Sequence, residues 1–551
     1  MEQARLFIAI GISFAIFFLW SMFFAPTPPE TPPQLTQDNT QTQNTVNEAP
    51  AETAPKSPAP VAAPETVVRQ TSEPARAVTV ETPLFRMLLS ERGATIKSVV
   101  LKQYREALDP ESPNKEMIDD KVNGGSIRTT LSGQGLEAME QAVFRTSAMG
   151  DTLSITTASG DVRFQYQAPN GVIVEKKYTF HPDTYLVDLS IDVYNGTDAM
   201  LQGNLGVALQ NIPPEKSGAI GFEGPSGLIG DKLQQIKIKD IEENNTMEGP
   251  VQWIAIEKRY FMISLIPVSE TDGIMVLGMK DNTIQNQLVT QIGEIAPKQR
   301  KTFDYKLFMG PKSLDLLKSY NLKLDQAINF GWFDFLAKPC LWFMNFIYRY
   351  IPNYGIAIII LTIVTRALFW PLAKKSYKSM GEMRKIQPLM QEVREKYKDD
   401  KTRQNQEMMT LYKTYKINPM GGCLPMIIQL PVFFALYRML YQAIELRHAP
   451  FFGWIDDLSA PDRLFELGFK IPFMEPPYGI PVLTLVMGAS MLLQQKMTPT
   501  PGDPAQAKMM MLMPVVFTFI FINFSSGLVL YWLVSNIFSM SQQYYTQKST
   551  A

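Results

Sequence analysis

Arg366 lies inside a strongly apolar segment, and it is the most informative residue in the chain. Arg366 belongs to the run from Ile356 to Pro371, whose other residues are apolar except for two threonines. A charge near the middle of a bilayer costs on the order of 3 kcal/mol, so Arg366 is expected to face protein or water. Snorkelling is the alternative, because Lys374 follows roughly 12 Å further along a helix and the cytoplasmic interface would be within reach.

Polar side chains of the apolar segments are expected at membrane depths that are compatible with the depth of Arg366. They are Thr362, Thr365, Gln429, Gln494, Gln495, Asn523, Ser535 and Asn536. A single polar residue in a helix bundle usually makes an interhelical hydrogen bond. Together with an arginine, this set predicts a hydrated recess within the membrane. No Asp or Glu occurs in the predicted spans, so the expected partner of Arg366 is water, a lipid headgroup or an incoming acidic group.

Covalent catalysis has little support in the sequence. The two histidines, His181 and His448, have no second ligand at metal spacing. Gly421-Gly422 is not followed by the Lys-Ser/Thr pair of a phosphate-binding loop. The net charge of -1 gives no sign of a nucleic-acid partner. We therefore expect no catalytic residues, no metal and no cofactor.

The N-terminal region is predicted to be a membrane anchor followed by a tether. Leu6–Ala25 is an uninterrupted apolar run of membrane-spanning length. A cleaved signal peptide is the alternative, but Phe23-Phe24-Ala25-Pro26 lacks small residues at both cleavage positions. Residues 1–25 are therefore assigned as the anchor. Residues 26–77 are rich in Pro, Thr, Gln, Ala and Glu, which predicts a disordered, semi-extended linker.

Residues 78–310 are predicted to form a large antiparallel β-sandwich. Alternating runs recur at Val78–Val80, Asp151–Ile155, Val162–Tyr166, Val187–Val193, Leu205–Leu209, Phe261–Leu265 and Thr302–Phe308. Asn195-Gly196 predicts a hairpin turn after the fourth of these runs. Many strands without interleaved helices favour a sandwich. Its expected role is a folded scaffold, and a cleft that binds sugar or peptide is the alternative.

The C-terminal half is predicted to be helical and membrane-embedded. Residues 311–352 are read as a helix followed by an aromatic amphipathic segment, either interfacial or simply buried. Residues 353–547 form the predicted core, with spans at 354–372, 424–443, 481–495, 509–524 and 528–544. One helix over Met509–Tyr544 would be roughly 54 Å long, so Ser525-Ser526-Gly527 is taken to divide it.

Charge orients these spans. The segment 374–418 is rich in Lys and Arg, and its apolar residues recur at helical spacing, which predicts a cytoplasmic helical hairpin. The loop between Glu445 and Gly479 is acidic and fits the outer side. Six spans then place both termini in the cytoplasm and the β-domain in the periplasm. Cys340 and Cys423 fall at opposite faces, so both are expected to be free thiols.

Several long motifs resemble the YidC/Oxa/Alb family of membrane protein insertases. The longest motif has two parts, Lys396 to Lys401 and Lys416 to Phe433. Others are Asn353-Tyr354-Gly355 ahead of Arg366, Phe330-Gly331-Trp332 with Lys338-Pro339, and Ser526–Tyr531. The resemblance covers essentially the whole chain, including the anchor and the outer domain of Gram-negative members.

The resemblance implies a five-helix core around a hydrophilic groove that opens to cytoplasm and lipid. It places the family's groove arginine at Arg366, its threonine at Thr362 and a groove aromatic at Trp532, where tyrosine is more familiar. The pattern Phe-Pro-Ser-Gly lacks its proline here, as Phe524-Ser525-Ser526-Gly527. The outer domain is expected to be a β-supersandwich similar to sugar-processing folds, and fold likeness alone transfers no sugar activity.

The sequence therefore predicts an inner-membrane insertase and chaperone of nascent integral membrane proteins. The predicted substrate groove contains Arg366, Thr362, Gln429, Asn523, Trp532 and Asn536. The resemblance adds the Sec translocon as a partner, and the basic loop makes the ribosome another. A channel or transporter, or a periplasmic ligand-binding protein, is the alternative. Deleting most of residues 78–310 discriminates between an insertase and a ligand-binding protein. The activity of an insertase should largely survive that deletion, whereas the activity of a receptor should not.

Overall fold

A computed structural model of the chain describes residues 75–132, 137–214, 221–269, 272–415, 424–498 and 504–550. The predicted anchor lies outside the described residues, and so does the predicted linker up to residue 74. The described part begins with a β-domain and continues into a helical part.

The β-domain contains eighteen described strands. They are β1 Ala77–Glu81, β2 Phe85–Ser90, β3 Thr95–Arg105, β4 Asn114–Glu116, β5 Arg128–Ser132, β6 Arg145–Thr146, β7 Thr152–Ser154, β8 Gly160–Gln167, β9 Ile173–Phe180, β10 Leu186–Tyr194, β11 Asn204–Asn211, β12 Gly224–Ile229, β13 Lys232–Gln235, β14 Thr246–Glu257, β15 Phe261–Pro267, β16 Asp272–Lys280, β17 Thr283–Gln291 and β18 Arg300–Pro311. All seven predicted runs overlap one of these strands.

The strands form two sheets. The smaller has the order β4-β3-β2-β1-β7, and the larger has β5-β11-β17-β16-β14-β15-β18-β10-β9-β8-β6, with β12 and β13 branching from β14. Residue alternation explains the packing: Val187, Leu189, Ile191 and Val193 of β10 are buried, and the polar residues between them lie on the other face. The predicted β-sandwich is confirmed. The pairing of β1 with β7 is parallel and departs from the predicted antiparallel pattern.

The predicted Asn-Gly hairpin is wrong. Strand β10 pairs with β9 and β18, whereas β11 pairs with β5 and β17. The Asn195 side chain is buried, and its amide donates to the carbonyl oxygens of Ala199 and Ile295, each at 2.8 Å. These bonds lead the chain away from β10 instead of folding it back, so a tertiary contact overrides the local turn preference.

One buried lysine in the sandwich has no carboxylate partner within the part of the chain that the structure describes. Lys176 of β9 is fully buried, and its Nζ donates to the Gly93 carbonyl at 2.7 Å and lies 5.5 Å from the Phe144 ring centroid. Burial lowers the pKa of Lys176 to about 7. The unfolded chain therefore binds more protons than the folded chain between pH 7 and about 10, and this group makes stability rise with pH through that window.

Substitution Lys176→Met is expected to remove this pH dependence. The variant loses a hydrogen bond to Gly93, a penalty that does not vary with pH, but it no longer buries an ionisable group. Its free energy of unfolding relative to wild type should fall by up to about 1.4 kcal/mol per pH unit between pH 7 and 10. Chemical unfolding of the full chain in detergent at pH 7 and 9 measures this difference, and an equal difference at both pH values contradicts it.

The helical part contains ten described α-helices. They are α1 Leu314–Ser319, α2 Asp334–Tyr350, α3 Tyr354–Leu368, α4 Trp370–Lys385, α5 Gln387–Lys396, α6 Lys401–Thr414, α7 Leu424–Gln442, α8 Val482–Met497, α9 Pro504–Phe521 and α10 Ser526–Thr550. A short two-stranded ribbon, β19 Leu464–Glu466 with β20 Gly479–Ile480, lies between α7 and α8.

The first predicted span ends earlier than expected. Helix α3 stops at Leu368, and α4 leaves at an angle of 65°, with Pro371 in its first turn. Proline has no backbone N–H to donate, so it fits the first turn of a helix, where that donor has no partner within the helix. In the part of the chain that the structure describes, no helix taken singly has the length and hydropathy of a membrane span, and the bent pair α3–α4 has them jointly.

The other helix bounds lie close to the predicted ones. Helix α9 ends at Phe521 and α10 begins at Ser526, so a break divides this segment where the sequence predicted one. Helices α5 and α6 pack together through Ile386, Met390 and Met408. The first arm of the predicted hairpin is interrupted at Ile386, because Pro388 starts a new helix there.

Candidate functional site

Arg366 is bound to the last helix of the chain. Its Nε donates to Oγ of Ser535 at 2.6 Å, and one of its terminal nitrogens donates to the same oxygen. These bonds join α3 to α10. Tyr531 and Tyr377 are the groups that act electrostatically on the guanidinium, and no carboxylate of the described residues does so. The cation therefore has neutral partners only within this part of the structure.

A second hydrogen bond to α10 lies one helical turn from Ser535. Tyr531 is buried on the same helix, four residues before Ser535. Its hydroxyl oxygen accepts a bond of 2.8 Å from Nε2 of Gln429. The bonds of Arg366 with Ser535 and of Gln429 with Tyr531 thus join α3 and α7 to α10.

A small cleft of about 20 Å³ lies beside these two hydrogen bonds. We call it the Arg366 cleft, and it is lined by Arg366, Phe369, Leu372, Ala373, Tyr377, Gln429 and Gln542. The bend between α3 and α4 forms one wall, because Phe369 to Tyr377 come from the bend and the helix that follows. The Nε2 atom of Gln542 is buried and has no hydrogen-bond partner among the described residues. A buried amide without a partner usually indicates a position for water or a ligand.

Two of the predicted groove residues make these hydrogen bonds to α10, and a third lies one turn away. Arg366 and Gln429 are brought together as described. Thr362 lies one helical turn before Arg366 on the same helix and is fully buried. Its hydroxyl donates to the Ile358 carbonyl at 2.6 Å, so its proton is used within α3.

Trp532 lies in an aromatic cluster instead of the Arg366 cleft. Its ring packs edge-on against Phe433 with a centroid distance of 4.8 Å, and it also contacts Phe517 and Phe521. The adjacent residue, Tyr531, is the aromatic side chain that reaches the arginine network. Tyr531, one residue before the position implied by the family resemblance, is thus the neighbouring aromatic residue that acts electrostatically on Arg366 and bonds to Gln429.

The two predicted asparagines are placed elsewhere. Asn536 donates to Oγ of Ser490 at 3.0 Å and joins α10 to α8. Asn523 lies after the end of α9, where its amide donates to the Phe473 carbonyl at 2.9 Å and its oxygen accepts from Arg463 at 3.2 Å. The structure does not bring Asn523 to the Arg366 cleft.

Three residues of this site were missed by the sequence reasoning. Tyr377 belongs to the predicted apolar stripe of the cytoplasmic hairpin, but it lines the cleft. Gln542 lies near the end of the predicted last span, where the sequence predicts no groove residue. Tyr531 belongs to the motif Ser526–Tyr531, which predicts no separate role for it. Its spacing of four residues from Ser535, which puts both on one helix face, is the pattern that could have identified it.

Chemically, the site offers a cation with neutral hydrogen-bonding neighbours, enclosed by helices on several sides. Such a site can hold water, or it can bind a carboxylate through charge-assisted hydrogen bonds. Among its lining residues there is no pairing of a nucleophile with a base. Cys340, the cysteine within the described residues, is a buried free thiol, and Cys423 lies outside them.

Two family models match the chain. The model described as "60Kd inner membrane protein" matches residues 346–551, and the "YidC periplasmic domain" matches residues 77–343. A protein named membrane protein insertase YidC from Syntrophus aciditrophicus is 41% identical over 98% of both chains. A protein of the same name from Syntrophobacter fumaroxidans is 39% identical over 99% of this chain and 100% of its own length.

Among solved structures, an active YidC insertase matches with 19% identity, covering 86% of this chain and 95% of that one, at a TM-score of 0.37. That score is too low to carry an argument, so the assignment depends on the sequence matches. Relatives about 40% identical extend over essentially the entire length, and both the β-domain and the helical part match family models. The chain therefore belongs to the YidC family of membrane protein insertases.

Proposed function

We propose that this chain inserts, folds and helps to assemble integral membrane proteins, and that the Arg366 cleft receives the hydrophilic end of each substrate. The observation that carries this proposal is the guanidinium of Arg366, which is bonded to the neutral hydroxyl of Ser535 and not to a carboxylate of the described residues. A desolvated cation without a counter-charge is costly in a bilayer. Water in the cleft lowers that cost, and an acidic substrate terminus can replace the water transiently.

The mechanism needs no nucleotide. Polar groups around Arg366 hydrate the membrane locally, so a hydrophilic terminus enters with a smaller desolvation penalty. The apolar segment of the substrate then moves between helices into lipid, and its burial contributes roughly 25 cal/mol per Å² of apolar surface. The driving force comes from the substrate, and the chain supplies a route.

The proposed topology has six spans, both termini in the cytoplasm and the β-supersandwich in the periplasm. Helices α3, α7, α8, α9 and α10 form the five-helix core, and α2 lies in the interfacial layer. Exposed aromatic residues of α2 support its placement: Phe335, Trp342, Phe346 and Tyr350 are all more than one-third exposed, as expected for a helix whose aromatic face meets lipid headgroups.

Two macromolecular partners follow from the same proposal. The Sec translocon shares substrates with this chain, and the ribosome meets the basic helices α5 and α6. Lys and Arg residues outnumber acidic ones in the segment 374–418, so electrostatic attraction to ribosomal RNA does not depend on nucleic-acid sequence.

Reconstitution tests the proposed activity. Purified protein in liposomes is expected to protect a small, Sec-independent membrane protein from external protease, and protein-free liposomes provide the control. Protection no greater than in protein-free liposomes contradicts the proposal. Flux of a small solute in place of protection favours a channel instead.

Water access to the cleft is expected to be specific to one face of α7. In a background with Cys340→Ser and Cys423→Ser, the variant Gln429→Cys should react with a membrane-impermeant maleimide added from the cytoplasmic side. Leu430 is the adjacent residue of the same helix and is exposed on the outside of the helical part, so Leu430→Cys at similar depth should face lipid and react at least tenfold more slowly. Equal rates at the two positions contradict a one-sided hydrated cleft.

A further inference from the structure

Three phenylalanine rings project from the connection between α7 and α8. Phe465, Phe469 and Phe473 have 70%, 64% and 88% of their surface exposed. Soluble proteins seldom expose large apolar side chains in such a group without a function for it. We call residues 462–481, which contain all three, the phenylalanine loop.

The phenylalanine loop is fixed to the ends of two core helices. The carboxylate of Asp462 accepts hydrogen bonds of 2.5 Å from the backbone of Leu483, in the first turn of α8, and from Trp454. Arg463 donates to the Ile522 carbonyl at 2.8 Å, just after α9. Asn523 donates to the Phe473 carbonyl at 2.9 Å. These bonds hold the rings in place, and they give Asn523 a structural role outside the Arg366 cleft.

Two of the rings are presented by a costly backbone conformation. Phe465 has φ of 57° and Phe473 has φ of 64°, in the left-handed region that glycine and asparagine tolerate best. A bulky residue is disfavoured there. The chain nevertheless carries phenylalanine, and not glycine, at both positions.

The loop lies at the end of the helical part that carries the β-domain. Arg259 of the β-domain donates to the Tyr441 carbonyl at 2.8 Å, at the end of α7. Arg447, a few residues further on, donates to the Glu106 carbonyl at 3.0 Å. The phenylalanine loop follows on the same side and returns to the start of α8.

Exposed apolar residues continue from the loop onto the helices. They are Ile480, Leu485 and Val486 on the α8 side and Phe519 and Ile520 on α9. In an inner-membrane protein this is the surface that acyl chains cover. Helix α8 has 16 residues and α9 has 18, which correspond to about 24 Å and about 27 Å, both shorter than a hydrocarbon core of about 30 Å. The apolar surface of these helices therefore needs an extension at one end.

We propose that the phenylalanine loop is a lipid-binding element that inserts its three rings into the bilayer leaflet on the β-domain side. The rings extend the short apolar surface of α8 and α9, and the exposed charged residues of the loop, Glu466, Lys470 and Glu475, remain at the level of the headgroups. Aromatic rings are favoured at this depth. The occupant is the lipid itself, and the inference is independent of how substrates are received at the Arg366 cleft.

Spin-label accessibility in the full chain tests this proposal. In a background with Cys340→Ser and Cys423→Ser, a nitroxide is attached at Phe469→Cys or Phe473→Cys, and the protein is placed in nanodiscs of phosphatidylethanolamine and phosphatidylglycerol. Phe519→Cys on α9 is the lipid reference, and Met149→Cys, fully exposed on the β-domain, is the water reference. Oxygen should relax the labels at 469 and 473 more than a water-soluble nickel chelate does, as at position 519.

Lys470→Cys is the matched control within the same loop. Its label should be relaxed more by nickel than the label at 473, because residue 470 lies at headgroup level. Nickel exceeding oxygen at 469 and 473, as at position 149, overturns the proposal. Low accessibility to both reagents also overturns it, because the rings would then be packed against protein, for example a second copy of the chain.

Discussion

Replacing Arg366 by alanine is expected to reduce insertion of a substrate with an acidic N-terminal tail by about 10- to 100-fold. A charge-assisted hydrogen bond contributes about 1.5–3 kcal/mol, and each 1.4 kcal/mol corresponds to a factor of ten. The Arg366 side chain is bound to the Ser535 hydroxyl, which an acidic tail can outcompete. Protease protection of the substrate in liposomes measures the loss.

Matched variants separate the effect of the Arg366 charge on insertion from the effect of its packing. Arg366→Lys keeps the charge but loses the planar guanidinium, so it should retain part of the activity. Ser535→Ala removes the acceptor and leaves the cation, and it should lower insertion by less than Arg366→Ala. A substrate whose tail is made neutral should be affected little by Arg366→Ala. Equal losses for acidic and neutral tails would assign the arginine a structural role instead.

The regular parts of the fold were predictable from local patterns. A period of two places Val187, Leu189, Ile191 and Val193 on one face of β10, and the structure buries all four. Long apolar runs likewise predicted the bounds of α7 and α8 within two residues, whereas α9 begins five residues earlier and α10 ends six residues later than predicted. Both patterns follow from backbone geometry alone, so they are visible without any knowledge of tertiary contacts.

The site was less predictable, because neighbouring helix residues differ by about 100° in direction. A shift of one residue separates Tyr531, which joins the arginine network, from Trp532, which packs against Phe433. A polar residue is expected to contact water, but its polarity does not show on which face of the helix it lies. Tyr531 and Ser535 lie four residues apart on α10, so they share one helix face. That shared face identifies a site only once Arg366 is known to reach Ser535.

Two further errors have a tertiary origin. Tyr377 reaches the cleft because α4 leaves α3 at 65°, and a sequence pattern does not give the direction of a bend. Asn523 was counted as a residue within a span, but α9 ends at Phe521 and leaves it in a connection. Its partners, Arg463 and Phe473, are distant in sequence, so no local pattern could connect them.

A buried ion pair lies in the β-domain, outside the residues that line the Arg366 cleft. Lys312 Nζ lies 3.1 Å from Oε2 of Glu257, and their side chains are 4% and 0% exposed. The pair lies where the sandwich joins the helical part. The backbone of Lys312 donates to the Tyr260 carbonyl at 2.8 Å, and Ser313, the next residue, donates to Glu445 at 3.3 Å.

Substitution Lys312→Met is expected to destabilise the β-domain by about 3–5 kcal/mol. It leaves the Glu257 carboxylate buried without its cation, and uncompensated buried charges cost that much. For a domain of this size the melting temperature should fall by roughly 6–20 °C. Thermal unfolding of the full chain in detergent, followed by protease resistance of the β-domain, measures the change.

The double variant Lys312→Met with Glu257→Leu is the decisive control. Removing both charges should restore most of the stability or exceed it, because a buried pair often costs as much in desolvation as it returns in attraction. A melting temperature within about 1 °C of wild type for Lys312→Met alone would mean that water reaches the carboxylate. Below its melting temperature the single variant should still insert substrate, since Lys312 and Glu257 do not line the Arg366 cleft. Loss of insertion in a folded variant would instead show that this junction transmits the position of the β-domain to the core helices.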